Sequence, residues 1–325
     1  MLDKPSHHQV QNKSFSSFDE LRQATLALDV DFRPLTSSDA DATLFQCIEG
    51  SRMLSHTTLH SQVEQRGSLP PGTRTLALPV GPNPSLEKWY GQDVTEDSLL
   101  LFPDHGEIDC VSQPSFEVFT LTLPENELLA CAEHLGVSSR DKLIGATERI
   151  FNCDPKAREK LLSALKIFQR ICVDQQASHN KTPQQQFIKD TILNEIVKLM
   201  DTASSTSMKT PPRSIERCIK RTREFVDANQ REPLKVRDLC KAANVSERTL
   251  ERIFKHHYGI SPKQFLKSQR LFGLHRDLLT ADPDVSSVSM LAGHWGYWHM
   301  GQLARDYQIL FGELPSETLN RPSYT

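Results

Sequence analysis

One segment near the C-terminal end carries polar side chains at helical spacing. Its charged residues recur three or four positions apart, and apolar residues take the positions between them. The set comprises Ser246, Glu247, Arg248, Glu251, Arg252 and Lys255. Arginine can bind guanine edges bidentately or pair with phosphates, and a carboxylate can accept a hydrogen bond from cytosine N4. The segment therefore predicts a helix face whose chemistry and width suit a DNA major groove.

The residues before this face indicate how it is positioned. Leu239 and Ala243 fall on the inward side of a short predicted helix. Asn244 can adopt the left-handed turn conformation, Val245 can fill the corner, and Ser246 can cap the next helix. That second helix has apolar anchors at Leu250, Ile253 and Phe254. Together these features predict a helix-turn-helix unit.

The same arrangement occurs again in the segment 288–307. Leu291 and Ala292 take the inward positions, and Gly296 supplies the turn. The outward residues of this second unit are predicted to be Trp298, His299, Met300, Gln302, Arg305 and Asp306. Gly301 lies inside the second helix, where glycine costs up to about 1 kcal/mol of helix propensity relative to alanine. We therefore expect this helix to tighten on DNA.

A long helix is predicted between the two units, from Pro262 to Leu279. With this helix, the C-terminal part of the chain resembles the DNA-binding domain of the AraC/XylS family of regulators, in which a long helix joins two helix-turn-helix units. The resemblance runs from about Ser214 to Pro322 and rests mainly on Tyr258–Pro262, Arg270–Leu271 and Phe311–Ser316. The stretch 296–301 is similar to a subgroup that contains ethanolamine-operon regulators. Asn244 departs from the family, which usually has glycine there.

The resemblance implies a sequence-specific transcription regulator that binds two successive major-groove segments, roughly 34 Å apart. It further implies an effector-responsive activator with three partners: double-stranded promoter DNA, RNA polymerase and a small molecule bound by the N-terminal half. The segment Leu69–Thr122 resembles the sensing half of some of these regulators. A homodimer through the helices between Pro155 and Asp201 is a further expectation. The effector-binding residues are unknown, and no cofactor is predicted.

The N-terminal half predicts a different architecture. After a flexible, partly helical stretch over residues 1–40, short strand-like runs punctuated by Gly and Pro predict an antiparallel barrel or sandwich. This sensor and dimerisation domain continues with amphipathic helices and covers residues 41–201. The segment 202–212 has the composition of a linker, and the DNA-binding domain is predicted at 213–325. The fold class is therefore α+β, with a barrel-like sensor domain before an all-α domain of two helix-turn-helix units.

One of the amphipathic helices is predicted to begin at Thr182–Pro183. Its apolar stripe can pack either on the barrel or on a second subunit. The stripe comprises Phe187, Ile188, Ile192, Ile196 and Leu199.

The candidate DNA-binding residues also have plainer interpretations. Charges on a helix often form only a solvated surface, but their place in a repeated arrangement favours a role on DNA. Glu247 and Glu251 either accept from cytosine or pair with neighbouring arginines, and pairing is favoured. The histidines and tryptophans of the second unit have no carboxylate or cysteine at metal-ligand spacing. Core packing is therefore predicted for Trp295, and a groove or phosphate contact for His299.

Three N-terminal histidines, His56, His60 and His105, raise an alternative. Two histidines and a glutamate in a barrel can bind iron or manganese, as in a cupin-like metal-dependent enzyme, or the barrel can serve a ligand-binding protein to which the helix-turn-helix domain is secondary. Their spacing is poor, however, and no phosphate loop or nucleophile elbow accompanies them. We expect neither catalysis nor a metal site.

Charge is distributed unevenly along the chain. From Arg213 onward there are 18 Lys and Arg against 13 Asp and Glu, and the preceding residues hold 20 against 28. A basic C-terminal part on an acidic body fits an anionic partner such as nucleic acid. The seven scattered cysteines fit neither a disulfide framework nor a zinc knuckle. Since no apolar run is long enough for a membrane span, the sequence predicts a cytoplasmic protein without membrane contact.

Overall fold

The computed structural model of the chain describes residues 9–25, 28–36, 41–80, 88–89, 92–95, 97–102, 107–137, 143, 150–174, 183–205 and 213–321. Its strands are β1 (Gln9–Phe15), β2 (Asp29–Pro34), β3 (Ala42–Glu49), β4 (Arg52–Leu59), β5 (Val63–Ser68), β6 (Thr73–Val80), β7 (Lys88–Trp89), β8 (Gln92–Asp93), β9 (Ser98–Leu101), β10 (Glu107–Ser112), β11 (Phe116–Pro124), β12 (Ile150–Asn152) and β13 (Ser204–Ser205). Its helices are α1 (Phe18–Ala24), α2 (Glu125–His134), α3 (Pro155–Asp174), α4 (Pro183–Thr202), α5 (Arg213–Ala228), α6 (Val236–Ala243), α7 (Glu247–Tyr258), α8 (Pro262–Thr280), α9 (Val288–His294), α10 (Met300–Phe311) and α11 (Pro315–Leu319).

The strands form two antiparallel sheets around a shared core. The larger sheet has the strand order β1-β3-β4-β11-β6-β9-β12-β13, and the smaller sheet has the order β2-β5-β10-β7-β8. Buried side chains of both sheets, among them Val30, Phe32, Leu44, Phe116 and Val118, belong to one apolar cluster. The predicted α+β class, with a barrel-like N-terminal half and a helical C-terminal half, is confirmed.

The larger sheet is covered on both of its faces. A second apolar cluster joins its outer face to α2, α3 and α4. As a result every residue of β6 is buried, whereas β2 alternates between buried and more exposed positions. The apolar stripe of α4 packs on the sheet, since Ile188, Ile192, Ile196 and Leu199 are buried in this cluster. Thr182 and the side chain of Phe187 lie outside the described residues.

Two N-terminal strands correct the sequence prediction. The prediction of a flexible N-terminal stretch is wrong for two segments. Gln9–Phe15 pairs with β3, and Asp29–Pro34 pairs with β5. β1 was missed because it is a mostly exposed edge strand, so its residues lack the apolar alternation that marks a half-buried strand. The short helix between the two strands is confirmed, and Ser17 Oγ accepts from the Asp19 N–H at 3.2 Å.

The predicted linker lies only partly in the described chain. Thr202 ends α4, and Ser204–Ser205 pairs with β12 in the larger sheet. Residues 206–212 are not described, so the domain boundary stays a prediction.

The helices α5–α11 pack around two further apolar clusters. The first gathers residues of α5, α6 and α7 with Phe265 and Leu266 of α8. The second gathers residues of α9, α10 and α11 with Leu271, Leu274 and Leu278 of the same helix. Because α8 contributes to both clusters, it is the structural connection between them. The first cluster also contains Leu35 and Val111 from the N-terminal half.

Candidate nucleic-acid interface

The first helix-turn-helix unit, formed by α6 and α7, has the predicted turn. α6 ends at Asn244, whose φ of 54° and ψ of 50° are left-handed, a conformation that asparagine adopts more readily than most residues. Ser246 caps α7, because its Oγ accepts from the Thr249 N–H at 3.2 Å. Leu250 and Phe254 have no exposed surface and fix α7 on the core.

The opposite face of α7 is open to solvent. All the candidate residues of the first unit are exposed, namely Ser246, Glu247, Arg248, Glu251, Arg252 and Lys255. Glu247 and Glu251 form no ion pair within the described part of the chain, so the prediction that they pair with neighbouring arginines is wrong. An exposed ion pair gains little energy and orders two long side chains. Both carboxylates are therefore available to a ligand.

The second unit, formed by α9 and α10, turns at Gly296, which has a φ of +73°. Trp295, immediately before it, is 6% exposed, and its Nε1 donates to Asp277 Oδ2 at 2.8 Å. Its ring lies directly on Gly273 of α8, where a Cβ would come within 2.0 Å of the indole Cη2 atom. The predicted core position of Trp295 is thus confirmed, and a close approach that only glycine permits holds the turn against α8.

The recognition helix of the second unit, α10, begins at Met300 with His299 at its N-cap. Five of the predicted outward residues are exposed, namely Trp298, His299, Met300, Gln302 and Arg305. The sixth, Asp306, is a correction, because its side chain is 11% exposed and accepts from Lys267 Nζ at 2.7 Å. Sequence spacing alone did not reveal that α8 supplies a cation at this position.

A buried chain of hydrogen bonds fixes α10 to its neighbours. The Tyr307 hydroxyl lies 2.5 Å from His275 Nδ1 and 2.8 Å from Thr318 Oγ1, which in turn donates to Glu313 at 2.5 Å. On its other side, His275 Nε2 lies 2.5 Å from Asp19 Oδ2. Burial alone would raise the pKa of Asp19, but the hydrogen bond and charge of His275 outweigh it and hold that pKa below its usual value. This series of hydrogen bonds therefore connects α10 to α1 of the N-terminal half.

A second polar cluster joins the two halves at β5. Glu64 is completely buried and lies 2.8 Å from Arg66 Nη2 and 3.5 Å from Arg223 Nη2 of α5. Gln269 of α8 also donates to it at 3.3 Å. Burial would raise the pKa of Glu64, but the charges of Arg66, Arg223 and Arg33 outweigh it and hold that pKa below its usual value. One carboxylate therefore connects the smaller sheet with both helices.

Two helix-turn-helix units that share α8, each with one exposed recognition helix, define a protein built to bind DNA through paired reading surfaces. Comparison with known proteins agrees. A family model described as a helix-turn-helix domain matches residues 239–321. The chain is 24% identical to the XylDLEGF operon transcriptional activator 1 of Pseudomonas putida over 241 residues, which are 73% of this chain and 69% of that protein.

Two further matches each cover about a third of the chain. The probable thc operon regulatory protein of Rhodococcus erythropolis is 35% identical over 96 residues, which are 30% of this chain and 29% of that protein. The solved structure of a probable AraC family transcriptional regulator from Rhodopseudomonas palustris is 33% identical, with a TM-score of 0.30, and the match covers 32% of this chain and 95% of that one. The chain belongs to the AraC/XylS family of DNA-binding transcription regulators.

The matches to two XylDLEGF operon transcriptional activators of Pseudomonas putida, activators 1 and 3, span 69% and 64% of those proteins. None of the findings bears on the likeness to ethanolamine-operon regulators, which stays a resemblance of the 296–301 stretch. The chain is thus placed at the level of the family.

The N-terminal histidines are not gathered into a metal centre in the described part of the chain, where no group of three His, Cys, Asp or Glu side chains could hold a metal ion. His56 binds Glu117 Oε1 through Nε2 at 2.8 Å and Gln169 Oε1 through Nδ1 at 3.0 Å. His105 lies outside the described residues. The same part of the chain contains no helix long and apolar enough to cross a membrane.

Proposed function

We propose that the chain is an effector-responsive activator that binds two successive major-groove segments of promoter DNA. The observation that carries this proposal is the pair of recognition helices. Each helix exposes its candidate DNA-binding residues, while its apolar residues are buried in a cluster that includes residues of α8. A shared helix fixes the spacing of the two units, so their operator should contain two blocks about one helical turn, roughly ten base pairs, apart.

Selection of genomic DNA fragments by the purified full chain, read by sequencing at two salt concentrations, tests this proposal. Enrichment of a motif with two such blocks is expected, and the affinity should fall steeply with salt because phosphate neutralisation releases counterions. An absence of any enriched motif, or an affinity that does not change with salt, would contradict it.

The exposed arginines of the reading surfaces allow a sharper test. A bidentate contact from arginine to guanine contributes about 1–3 kcal/mol of discrimination, so Arg252→Ala and Arg305→Ala should each weaken operator binding by roughly five- to 150-fold. Lys13→Ala is the control, because Lys13 is an exposed cation of β1, in the N-terminal half and outside α3. Unchanged operator affinity in both test variants would mean that the reading face is assigned wrongly.

A cavity between the two sheets is the proposed effector site. It holds about 710 Å³ of empty space, including its open mouth, and apolar residues such as Phe32, Leu100 and Phe116 line most of it. Gln65 also lines it, and its Nε2 is buried without a hydrogen-bond partner in the described part of the chain. An unpaired buried donor costs free energy until it finds an acceptor. These features favour an apolar effector with one hydrogen-bond acceptor.

The strands that form this cavity also contact the DNA-binding helices. Successive side chains of a strand point to opposite faces, so Phe32 of β2 faces the cavity while Arg33 donates to Gln269 of α8 at 3.1 Å. On β5, Gln65 faces the cavity and Glu64 contacts Arg223 of α5. A ligand that moves either strand would therefore also move an interdomain contact.

The effector site can be tested by thermal unfolding of the full chain against a panel of small apolar molecules that carry one acceptor. A ligand at a hundred times its Kd stabilises the native state by about 2.7 kcal/mol. Gln65→Leu should reduce the shift that a hit produces, whereas Gln113→Leu, a change outside the cavity lining, should not. A shift that Gln65→Leu leaves intact would place the effector elsewhere.

The names of the Pseudomonas putida relatives support activation over repression. Transcription of a selected promoter in vitro, with RNA polymerase and the purified chain, should increase. Lower transcription would indicate a repressor instead of an activator.

Dimerisation through α3 is part of the same proposal. Ile167 is 51% exposed on that helix, so Ile167→Glu should lower the molar mass that ultracentrifugation measures for the full chain. An unchanged molar mass would contradict a dimer through this face.

A further inference from the structure

The two reading surfaces differ in their chemistry. The first consists mainly of charged side chains, but the second exposes Trp298 with 80% and Met300 with 36% of their surface. Neighbouring large apolar side chains on a protein surface mark a contact site more often than isolated ones do. We infer that the second unit recognises thymine methyl groups through Trp298 and Met300, an inference that rests on the proposed function.

The position of these two residues decides what they can touch. Residues at the N-terminal end of a recognition helix contact base edges in the major groove. Met300 is the first residue of α10, and Trp298 comes two residues earlier. The apolar group that a base pair presents in the major groove is the C5-methyl of thymine. Apolar side chains at this end of α10 therefore match thymine rather than the hydrogen-bonding edges of guanine or cytosine.

Gly301 supports a close approach to the DNA at the same end. A Cβ built on this residue would meet nothing within 4 Å, and its φ is not left-handed. Neither packing nor backbone conformation within the protein thus requires glycine there. Glycine also allows a backbone to come unusually near a ligand. A helix end pressed against the base edges would account for a glycine that the protein's own packing does not need.

The operator should therefore be chemically asymmetric. Arg248, Arg252, Glu247 and Glu251 offer hydrogen bonds to guanine and cytosine in the block that the first unit binds. The block that the second unit binds should contain, besides the base that Arg305 contacts, one or two thymines whose methyl groups are required.

Replacing thymine with uracil removes the methyl group and leaves base pairing unchanged, so it isolates this contact. The full chain is first used to select an operator, and each thymine of that duplex is then replaced singly. One or two replacements in the second block should weaken binding about fourfold each, which corresponds to about 0.8 kcal/mol per buried methyl-sized group. Replacements in the first block should have no comparable effect.

The Trp298→Ala and Met300→Ala variants connect the effect to the residues. Each should bind the thymine duplex more weakly than the wild type and should lose the discrimination against uracil at one position. Ile309→Ala is the matched control, because Ile309 is a 51% exposed apolar residue of α10 that lies far from its N-terminal end. It should keep the wild-type discrimination. Circular dichroism checks that all three variants keep the helical fold.

Two results would overturn the inference. The wild type could bind thymine and uracil duplexes equally at every position of the second block, or both alanine variants could retain full discrimination. A selected two-block motif with either result would leave the proposed function standing. Failure to select any motif would instead contradict the proposed function itself.

Discussion

Gly273→Ala is the substitution whose effect on this fold can be worked out most directly. A Cβ at this position would lie 2.0 Å from Cη2, 2.4 Å from Cζ3 and 2.5 Å from Cζ2 of Trp295. Carbon atoms pack best at about 3.5–4.0 Å, so the ring and α8 would have to separate by roughly 1.5 Å. Trp295 cannot yield freely, because it is buried and its Nε1 is bound to Asp277.

The cost follows from two contributions. Overpacking of a buried site destabilises by about 1–3 kcal/mol, and a lost hydrogen bond to a charged acceptor adds about 1.5–3 kcal/mol. Alanine regains up to about 1 kcal/mol of helix propensity over glycine. With that gain subtracted, we expect Gly273→Ala to lower the free energy of unfolding of the DNA-binding helices by about 1.5–5 kcal/mol.

The assay is urea unfolding of the full chain followed by circular dichroism at 222 nm, with operator affinity measured in parallel. Gly293→Ala is the matched control, because a Cβ there would meet nothing within 4 Å on α9. That control should be neutral or stabilising. Gly273→Ala should shift the unfolding midpoint downward, and it should weaken operator binding because the second reading surface depends on the turn that Trp295 holds.

A second substitution tests whether the loss of stability comes from the contact between residue 273 and the Trp295 ring. Trp295→Leu should be destabilising in the wild type. It should cost at least about 2 kcal/mol less in the Gly273→Ala background, because loss of the indole ring relieves the clash that the alanine creates. Equal stability of Gly273→Ala and Gly293→Ala would refute the reasoning. Additive effects of Gly273→Ala and Trp295→Leu would show that the ring does not pack on Gly273.

Three other predictions concern the interface and the second reading surface. Glu64→Gln leaves buried arginine charge uncompensated, so unfolding measured in urea should show a loss of about 3 kcal/mol, the low end of the usual range because Asp227 also pairs with Arg66; unchanged stability would show that Glu64 carries no charge in the native protein. The pKa of Glu64 lies below its ordinary 4.5, so its contribution should be fully present above pH 4.5 and lost as the pH falls through the lower native pKa; a wild-type stability curve parallel to that of Glu64→Gln from pH 7 to pH 3 would contradict this. Gly301→Ala should keep or increase thermal stability but reduce operator affinity, and equal affinity by fluorescence anisotropy would remove the case for close backbone approach.

The sequence was sufficient to predict the paired helix-turn-helix units because their signals are local. Asn244 and Gly296 mark turns through backbone conformation, Ser246 marks a helix start, and the spacing of apolar residues marks the buried sides. Each of these depends on residues within a few positions of one another. The outward residues of α7 and α10 then follow by elimination, with Asp306 as the exception.

What the sequence did not reveal depends on contacts between distant segments. Asp306 lies on the predicted outward face, but Lys267, far from it in the chain, draws it against α8. Glu64 and Arg66 alternate along β5 like the exposed residues of an edge strand, although Glu64 is completely buried. Arg223, which pairs with Glu64, is far away in sequence, and no local pattern indicates that a helix covers this part of β5.

The polar character of the interdomain contact bears on how a regulator of this kind could switch. A buried ion pair contributes little net stability compared with apolar packing, yet it is costly to break on one side because the remaining charge is left without a partner. Such a contact therefore favours one geometry strongly without binding the two halves together strongly. Glu64 reaches Arg223 of α5, which packs with the first helix-turn-helix unit, whereas Asp19 reaches His275, which is bonded to Tyr307 of the second. Since β5 and α1 both line the cavity, through Gln65 and Leu21, a ligand in the cavity should disturb the contacts of both helix-turn-helix units.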